Sequence, residues 1–170
     1  MEYDVKGNLR EVLGHLPEGV RLVAISKFHP NEYIEAAYEE GQRVFGESHE
    51  QELARKVESL PKDIEWHFIG HLQTNKVKYI APYIAMIEAV DSLKLLKEIN
   101  KQAAKHDRVI KVLLELHIAA EETKYGLTLD MPTRVWPYWL SLSEARHMIR
   151  KCWFPVPFRA SNWSSSLSEV

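Results

Sequence analysis

The stretch "RVFGESHEQELARKVESLPKDIEWHFIG", residues 43–70, decides the fold class. Its two ends, "RVFGES" and "IEWHFIG", are short apolar segments that predict strands, and "HEQELARKVESL" between them predicts a helix. A helix that joins two consecutive strands is the usual crossover between parallel strands. The stretch therefore predicts a parallel sheet that is covered by helices.

The same alternation extends along the chain in both directions. Strands are predicted at 18–26, 43–48, 64–70, 84–90 and 108–118, and helices near 4–16, from Pro30 to a stop at Gly41, at 49–60, at 72–81, and at 92–106 after a cap at Asp91. These five units predict an α/β fold, either an incomplete (β/α)8 TIM barrel or an open doubly wound sheet. Because no G-x-G-x-x-G follows the first strand, a dinucleotide site is disfavoured and the barrel is slightly ahead.

The composition excludes several classes of protein. The 170 residues, 45% hydrophobic and 27% charged, suit one soluble domain with a core. Lys plus Arg number 22 against 24 for Asp plus Glu, so no cationic excess points to nucleic acid or to an acidic membrane. The single cysteine, Cys152, allows no internal disulfide and fits a cytoplasmic protein. No apolar run is long enough for a signal core or a bilayer span, which predicts no membrane association.

The sequence pattern changes after residue 130. Four of the five tryptophans lie in the last 35 residues, and the βα alternation stops, apart from a short helix-like piece near 141–151. We therefore divide the chain into a barrel domain at 1–130 and a tail at 131–170. The tail is either irregular or foreign to the fold, as a frameshift would produce.

Lys27 ends the first predicted strand, whose segment Leu22–Ser26 is apolar on both faces. Ligands of parallel α/β proteins bind at the carboxyl ends of strands, so Lys27 is placed at such a site. Partial burial would favour the neutral amine, which can form a Schiff base with an aldehyde. The alternative is an ordinary lysine that extends into water.

Polar residues at two other strand ends are candidates for the same pocket. Ser48 comes just after the second strand, together with Glu47 and His49. His67 lies inside the third strand, where it either lines the interior beside Lys27 or is a core histidine with its hydrogen bonds satisfied. The spacing of His67 and His71 suits a metal only on a helix, and this segment is predicted as strand, so no metal is expected.

Five segments, in their order and spacing, carry a resemblance to a known family. "LVAISKFHP", "GQRVFGESHEQEL", "EWHFIGHLQTNKVKYI", "EAVDSLKLLKEIN" and "EETKYGL" resemble the pyridoxal phosphate homeostasis proteins, also called YggS or PROSC, often described as alanine racemase N-terminal-domain proteins. The resemblance covers roughly residues 5–130. It implies a single (β/α)8 barrel.

The resemblance also implies a cofactor and its attachment point. Pyridoxal 5'-phosphate is expected as a Schiff base on Lys27, and Lys124 is similar to a second family lysine linked to cofactor transfer. The implied role is a cofactor-binding regulator of intracellular pyridoxal phosphate without robust catalysis. Its expected partners are the small-molecule cofactor and, transiently, enzymes that accept it. A racemase-like enzyme remains an alternative.

Two departures from the family pattern affect these expectations. Ser48 stands where the family commonly has asparagine. The Ser-x-Gly-Met-Ser type loop and the Arg-Ile-Gly segment that hold the phosphate in the family are missing from residues 131–170. We therefore expect a truncated or frameshifted product after about residue 130. The complete fold is expected as a monomer, whereas five strands with open edges favour an oligomer, an aggregate or a defective fragment without a phosphate site.

Overall fold

Five parallel strands lie side by side in the order in which they occur in the chain. A computed structural model describes residues 3–116 and 126–127, which belong to one unit, Met1–Pro132. The tail predicted at 131–170, with its helix-like piece near 141–151, lies outside the described residues.

The elements follow the alternation predicted from the sequence. The strands are β1 (Ala24–Ile25), β2 (Val44–Glu47), β3 (Glu65–Phe68), β4 (Met86–Val90) and β5 (Lys111–Leu114). The helices are α1 (Val5–His15), α2 (Asn31–Glu39), α3 (Glu50–Ser59), α4 (Val77–Ile80), which a 3-10 turn at Thr74–Lys76 precedes, and α5 (Leu93–Lys105). The five predicted units are therefore present.

The strand order separates the two architectures that the sequence left open. The sheet runs β1-β2-β3-β4-β5, and every pairing is parallel. A doubly wound sheet reverses its strand order at a switch point, whereas the strands of a (β/α)8 barrel follow the chain. The described strands contain no reversal, so the barrel-type prediction is confirmed.

The two faces of the sheet have different surroundings. We call the face that carries Phe45, Phe68 and Ile87 the outer face; these three side chains are at most 1% exposed. The opposite face, which we call the inner face, carries Ile25 of β1 and its register partner Gly46 of β2. The helices pack on the outer face, where the apolar core is formed.

The expectation that the first strand is buried on both faces was wrong. Ile25 is 48% exposed, because no element among the described residues covers the inner face at this point. The strand is also short, since only Ala24 and Ile25 form ladder bridges with β2. Ser26, which follows directly, is buried on the side of the outer face.

Of two predicted helix ends, the structure confirms the stop at Gly41 and corrects the cap of α5. Gly41 follows the end of α2 with a φ of +91°, a conformation that glycine adopts without a Cβ clash, so the predicted stop is confirmed. The N-cap of α5 is Ser92, whose side chain accepts a hydrogen bond from the Leu95 amide, and not Asp91 as predicted. Asp91 instead pairs with His71, which lies far from it in the sequence. In the stretch that the structure describes, no helix has both the length and the hydropathy to cross a bilayer.

Tyr83 gives the unit an alkaline pH dependence. Its hydroxyl is buried and has no hydrogen-bond partner within the described residues. Burial, followed by the charges of Glu50 and Glu58, raises the pKa of Tyr83 to about 12 from 10.0. The folded state therefore holds the phenol proton more tightly than the unfolded chain does, and the stability that this provides is complete below pH 10 and is lost as the pH rises towards 12.

We predict that Tyr83→Phe flattens the loss of stability between pH 10 and 12. Phenylalanine keeps the packed ring and removes the buried phenol that titrates differently in the two states. Urea unfolding at several pH values measures the slope. The same deletion at the exposed Tyr79 is the control and should leave the slope in place; an equal flattening by both substitutions would contradict the assignment to Tyr83.

Candidate functional site

Lys27 lies in a tight turn at the carboxyl end of β1. The amide of His29 donates a 3.1 Å hydrogen bond to the carbonyl of Ser26, which places Lys27 and Phe28 at the two central positions of a β-turn. The Lys27 side chain is exposed. The partial burial expected for this lysine is therefore not found among the described residues, which also leave the preceding inner-face residue, Ile25, half-exposed.

The turn has a strained backbone at Phe28. This residue has a φ of +64°, a region that bulky L-residues avoid because Cβ meets the backbone. The third position of a type II turn demands such a φ, and glycine or asparagine is the usual choice. The Phe28 ring is 74% exposed and lies 5.1 Å from the His49 ring, centroid to centroid. A conformation of this kind persists only where its surroundings hold it.

A group of charged side chains behind the turn supplies such contacts, and we call Glu47, Glu52 and Lys56 the brace. Lys56 Nζ donates 2.7 Å hydrogen bonds to the Ser26 carbonyl, to Glu47 Oε1 and to Glu52 Oε1. Glu52 Oε1 also accepts the Phe28 amide at 2.8 Å, and Ser26 Oγ donates to Glu47 Oε1 at 2.6 Å. The brace thus joins the end of β1, the end of β2 and the first turns of α3.

The brace corrects the expectation for Glu47 and adds residues that the sequence analysis did not single out. Glu47 was grouped with the strand-end polar residues, but it is the last residue of β2, faces the helices and is 0% exposed. Burial opposes ionisation of Glu52, yet the hydrogen bonds from Lys56 and from the Phe28 amide outweigh it and lower the pKa of the Glu52 carboxyl. A sequence signal existed in the spacing of Glu52 and Lys56, which are four residues apart on one helix.

His67 lies on the inner face and has a partner that the sequence analysis missed. Its Nδ1 is 2.6 Å from Glu88 Oε1, and its side chain is 8% exposed against 26% for Glu88. His67 pairs with Gly46 in register, and Gly46 pairs with Ile25. His67 is therefore two strand spacings, about 10 Å, from β1. It shares the inner face with the first strand but is not a neighbour of Lys27.

Ser48 lies nearer to the turn. Ile25 pairs with Gly46, so Lys27 and Ser48, each two residues further along, both follow the ends of adjacent strands. The Ser48 hydroxyl is 3.1 Å from His49 Nδ1, in the loop between β2 and α3. Ser48 is thus the candidate that follows the strand next to β1, whereas Lys124 lies outside the described residues.

The inner face below the turn is apolar and closely packed around Gly46. A Cβ on Gly46 would come within 3.0 Å of Ile25 Cδ1, 3.1 Å of Ile69 Cγ2 and 3.2 Å of Val23 Cγ1. Three aliphatic side chains therefore converge above this glycine and fill the space that a side chain at position 46 would occupy. They form an apolar floor below the strand ends.

The two histidines that were tested for metal spacing have separate carboxylate partners. His67 pairs with Glu88, and His71 Nδ1 is 2.9 Å from Asp91 Oδ2. Within residues 3–116 and 126–127, no three His, Cys, Asp or Glu side chains come together in a way that could hold a metal ion.

Comparison with known proteins identifies similar chains. The family model for the alanine racemase N-terminal domain matches residues 4–146. The pyridoxal phosphate homeostasis protein of Aquifex aeolicus is 40% identical over 127 residues, which are 74% of this chain and 56% of the relative. Its counterpart in Vibrio alginolyticus is 31% identical over 161 residues, 92% of this chain and 68% of the relative. The human counterpart is 41% identical over 116 residues, 63% of this chain and 42% of its own length.

Solved structures show the same arrangement of the backbone. PipY of Synechococcus elongatus, determined without and with pyridoxal phosphate bound, superposes with TM-scores of 0.73 and 0.70 at 31% identity and covers 84% of this chain and 66% of PipY. Alanine racemase from E. faecalis has a TM-score of 0.65 at 17% identity and covers 81% of this chain and 38% of the racemase, a likeness of fold alone.

We predict that Phe28 reverses the usual preference for alanine over glycine. At a φ of +64°, Phe28→Gly should be about 1 kcal/mol more stable than Phe28→Ala, because only glycine avoids the Cβ clash. The control is the exposed Glu35 inside α2, where alanine should be more stable than glycine by about 1 kcal/mol. Chemical denaturation of the four variants measures both differences. Equal preferences at the two positions would show that the turn is not held in the left-handed conformation.

Proposed function

Because the chain belongs to the pyridoxal phosphate homeostasis protein family, we propose that it binds pyridoxal 5'-phosphate covalently through Lys27 and takes part in the intracellular homeostasis of that cofactor. The observation that carries the proposal is the position of Lys27 in a held turn at the carboxyl end of the first strand. In sheets of this order, ligands are bound at that end. The chain spans 56% and 47% of the lengths of the pyridoxal phosphate homeostasis proteins of Aquifex aeolicus and Schizosaccharomyces pombe. The activity of these longer proteins is therefore a proposal for this chain.

The cofactor supplies an aldehyde, which condenses with a primary amine. When bound, the cofactor would supply the aldehyde carbon, and Lys27 would supply the primary amine that could hold it covalently with release of one water. Lys27 suits this role because its exposed side chain leaves Nζ accessible at the strand ends. The reaction needs no other reactant.

The residues around the turn fit a small polar aromatic ligand. The apolar floor formed by Val23, Ile25 and Ile69 gives one surface for a ring, and Ser48 offers a hydroxyl after the end of the neighbouring strand. His67, fixed by Glu88, supplies a buried imidazole on the inner face. We propose Ser48 and His67 as pocket residues and Lys124 as a secondary site for the cofactor.

The homeostatic role is supported by the relatives and not by a catalytic arrangement. The described residues on the inner face include one His–Glu pair, His67 with Glu88, and we assign it to the pocket and not to turnover. A binding protein of this kind would keep the free aldehyde low and deliver the cofactor to accepting enzymes. We place this role in the cytoplasm, in keeping with a single cysteine in the sequence.

We predict that Lys27→Arg abolishes covalent cofactor attachment. Arginine keeps the positive charge but has no primary amine to condense with the aldehyde. The protein is incubated with pyridoxal phosphate, reduced with borohydride to fix the carbon–nitrogen bond, and digested for peptide mass mapping. The wild-type chain should carry the added mass on the Lys27 peptide, and the variant should lose it together with its visible absorbance.

The matched control is Lys94→Arg, which changes another exposed lysine, in α5. It should keep the modification at Lys27. The proposal fails if the added mass stays on other lysines alone, or if the colour of the Lys27→Arg protein equals that of the wild type. Because mapping reads every lysine, it also reports whether Lys124 carries the cofactor.

A further inference from the structure

We propose that Glu52 and Lys56 are positioning residues, which fix the turn that carries Lys27 and thereby aim its amine. The proposal deepens the proposed function, on which it rests for the chemistry of Lys27. It assigns a task to an ion pair of α3, Glu52 with Lys56. Within the described residues, this pair bonds the backbone on either side of Lys27 and forms no hydrogen bond with the Lys27 side chain.

Both peptide groups that flank Lys27 are tied to α3. The carbonyl of Ser26, on its N-terminal side, accepts Lys56 Nζ at 2.7 Å. The amide of Phe28, on its C-terminal side, donates to Glu52 Oε1 at 2.8 Å. Glu52 and Lys56 are also bonded to each other, so one rigid pair holds the backbone on both sides of the lysine.

The hydrogen-bonding capacity of Lys56 is fully used by this arrangement. An ammonium group has three donors, and Lys56 Nζ meets three acceptors, on Ser26, Glu47 and Glu52. The Lys56 side chain is only 5% exposed and that of Glu47 is 0% exposed. Burial costs each ion its hydration, which a well-placed partner only offsets, so a buried cluster of this kind is weak evidence for a purely stabilising role. One acceptor oxygen, Glu47 Oε2, is buried without a partner among the described residues, which adds to that cost.

The turn faces an open groove on the side of α3. A groove of about 570 Å³ lies between residues 28–31 and α3, with Glu52, Lys56 and Ser59 on its helical side. The Phe28 side chain is 74% exposed and its backbone is strained. The His29 amide closes the turn on the Ser26 carbonyl and the His49 ring lies against Phe28, and the two hydrogen bonds with α3 add the fixed contacts that a strained backbone needs.

A fixed turn restricts the positions and directions that the Lys27 amine can sample. A side chain on a fixed backbone searches fewer positions before it reaches a bound aldehyde, and a well-oriented reactant gains in effective concentration. Loosening the turn should therefore weaken cofactor attachment without removing the amine. A merely structural brace would lower global stability and leave the turn and the affinity as they are.

The test compares two glutamates of the first turns of α3. Glu52 and Glu50 have side-chain exposures of 17% and 19%, and each accepts a hydrogen bond from a lysine, but Glu50 pairs with Lys76 and forms no hydrogen bond with the turn within the described residues. In the cofactor-free protein, Glu52→Ala should speed hydrogen exchange of the Phe28 amide about tenfold, as loss of a charge-assisted hydrogen bond predicts, and Glu50→Ala should not. The dissociation constant of pyridoxal phosphate should then be about tenfold higher for Glu52→Ala than for the wild-type chain. Glu52→Gln, which keeps an acceptor oxygen, should restore part of both effects.

Lys56 needs a different variant, since Lys56→Met alone would leave Glu47 buried and unpaired. The double substitution Glu47→Gln with Lys56→Met removes both charges, keeps the side chains at similar volume and leaves an amide oxygen to accept the Ser26 hydroxyl. We expect this double variant to fold and to show the faster exchange at Phe28. Circular dichroism and urea unfolding verify the fold before exchange is measured.

The outcomes separate this proposal from the proposed function. Phe28 exchange in Glu52→Ala that matches Glu50→Ala overturns the brace, whatever the cofactor does. Faster exchange with an unchanged dissociation constant also overturns it, because the turn would then not govern Lys27. If the wild-type chain forms no bond with pyridoxal phosphate at Lys27, the proposed function fails, while faster exchange in Glu52→Ala still supports the brace as the holder of the turn.

Discussion

Parallel pairing in chain order is the constraint on which the candidate site depends. It brings the carboxyl ends of β1, β2 and β3 to one edge of the sheet, so residues that follow different strands become neighbours. Lys27 and Ser48 are separated by a helix in the sequence but follow the carboxyl ends of two adjacent strands. The brace follows from the same pairing, because Ser26 and Glu47 also meet at this level.

The two faces of the sheet divide the work of the fold. The outer face holds the apolar core under the helices, and its fully buried aromatic side chains, Phe45 and Phe68, anchor β2 and β3. The inner face has a different character, with Ile25 half-exposed and a histidine paired to a glutamate. A substitution in the apolar core of the outer face is expected to act on stability, whereas Glu47, at the end of the same face, belongs to the brace.

The two lysines at the end of β1, Lys27 in the turn and Lys56 behind it, have opposite environments. Lys27 is exposed, and its ammonium group or amine is accessible to a ligand. Lys56 is buried, and all three of its donors are taken by oxygen atoms. Their proximity, through the Ser26 carbonyl, makes one lysine a candidate for chemistry and the other a candidate for holding the first in position.

The sequence by itself determined the order of the elements, the parallel class of the sheet, the stop at Gly41 and the place of Lys27 after the first strand. These depend on local apolar runs and on single residues with strong conformational preferences, which can be read without knowing the rest of the chain. Only the tertiary structure decided between the barrel and the doubly wound strand order. It alone showed that Lys27 is exposed and that Glu47 is buried. It also brought Lys56 to Ser26, 30 residues away in the chain, and His67 to Glu88, 21 residues away. Such contacts depend on strand register and on which face each side chain meets, and no short stretch of sequence contains that information.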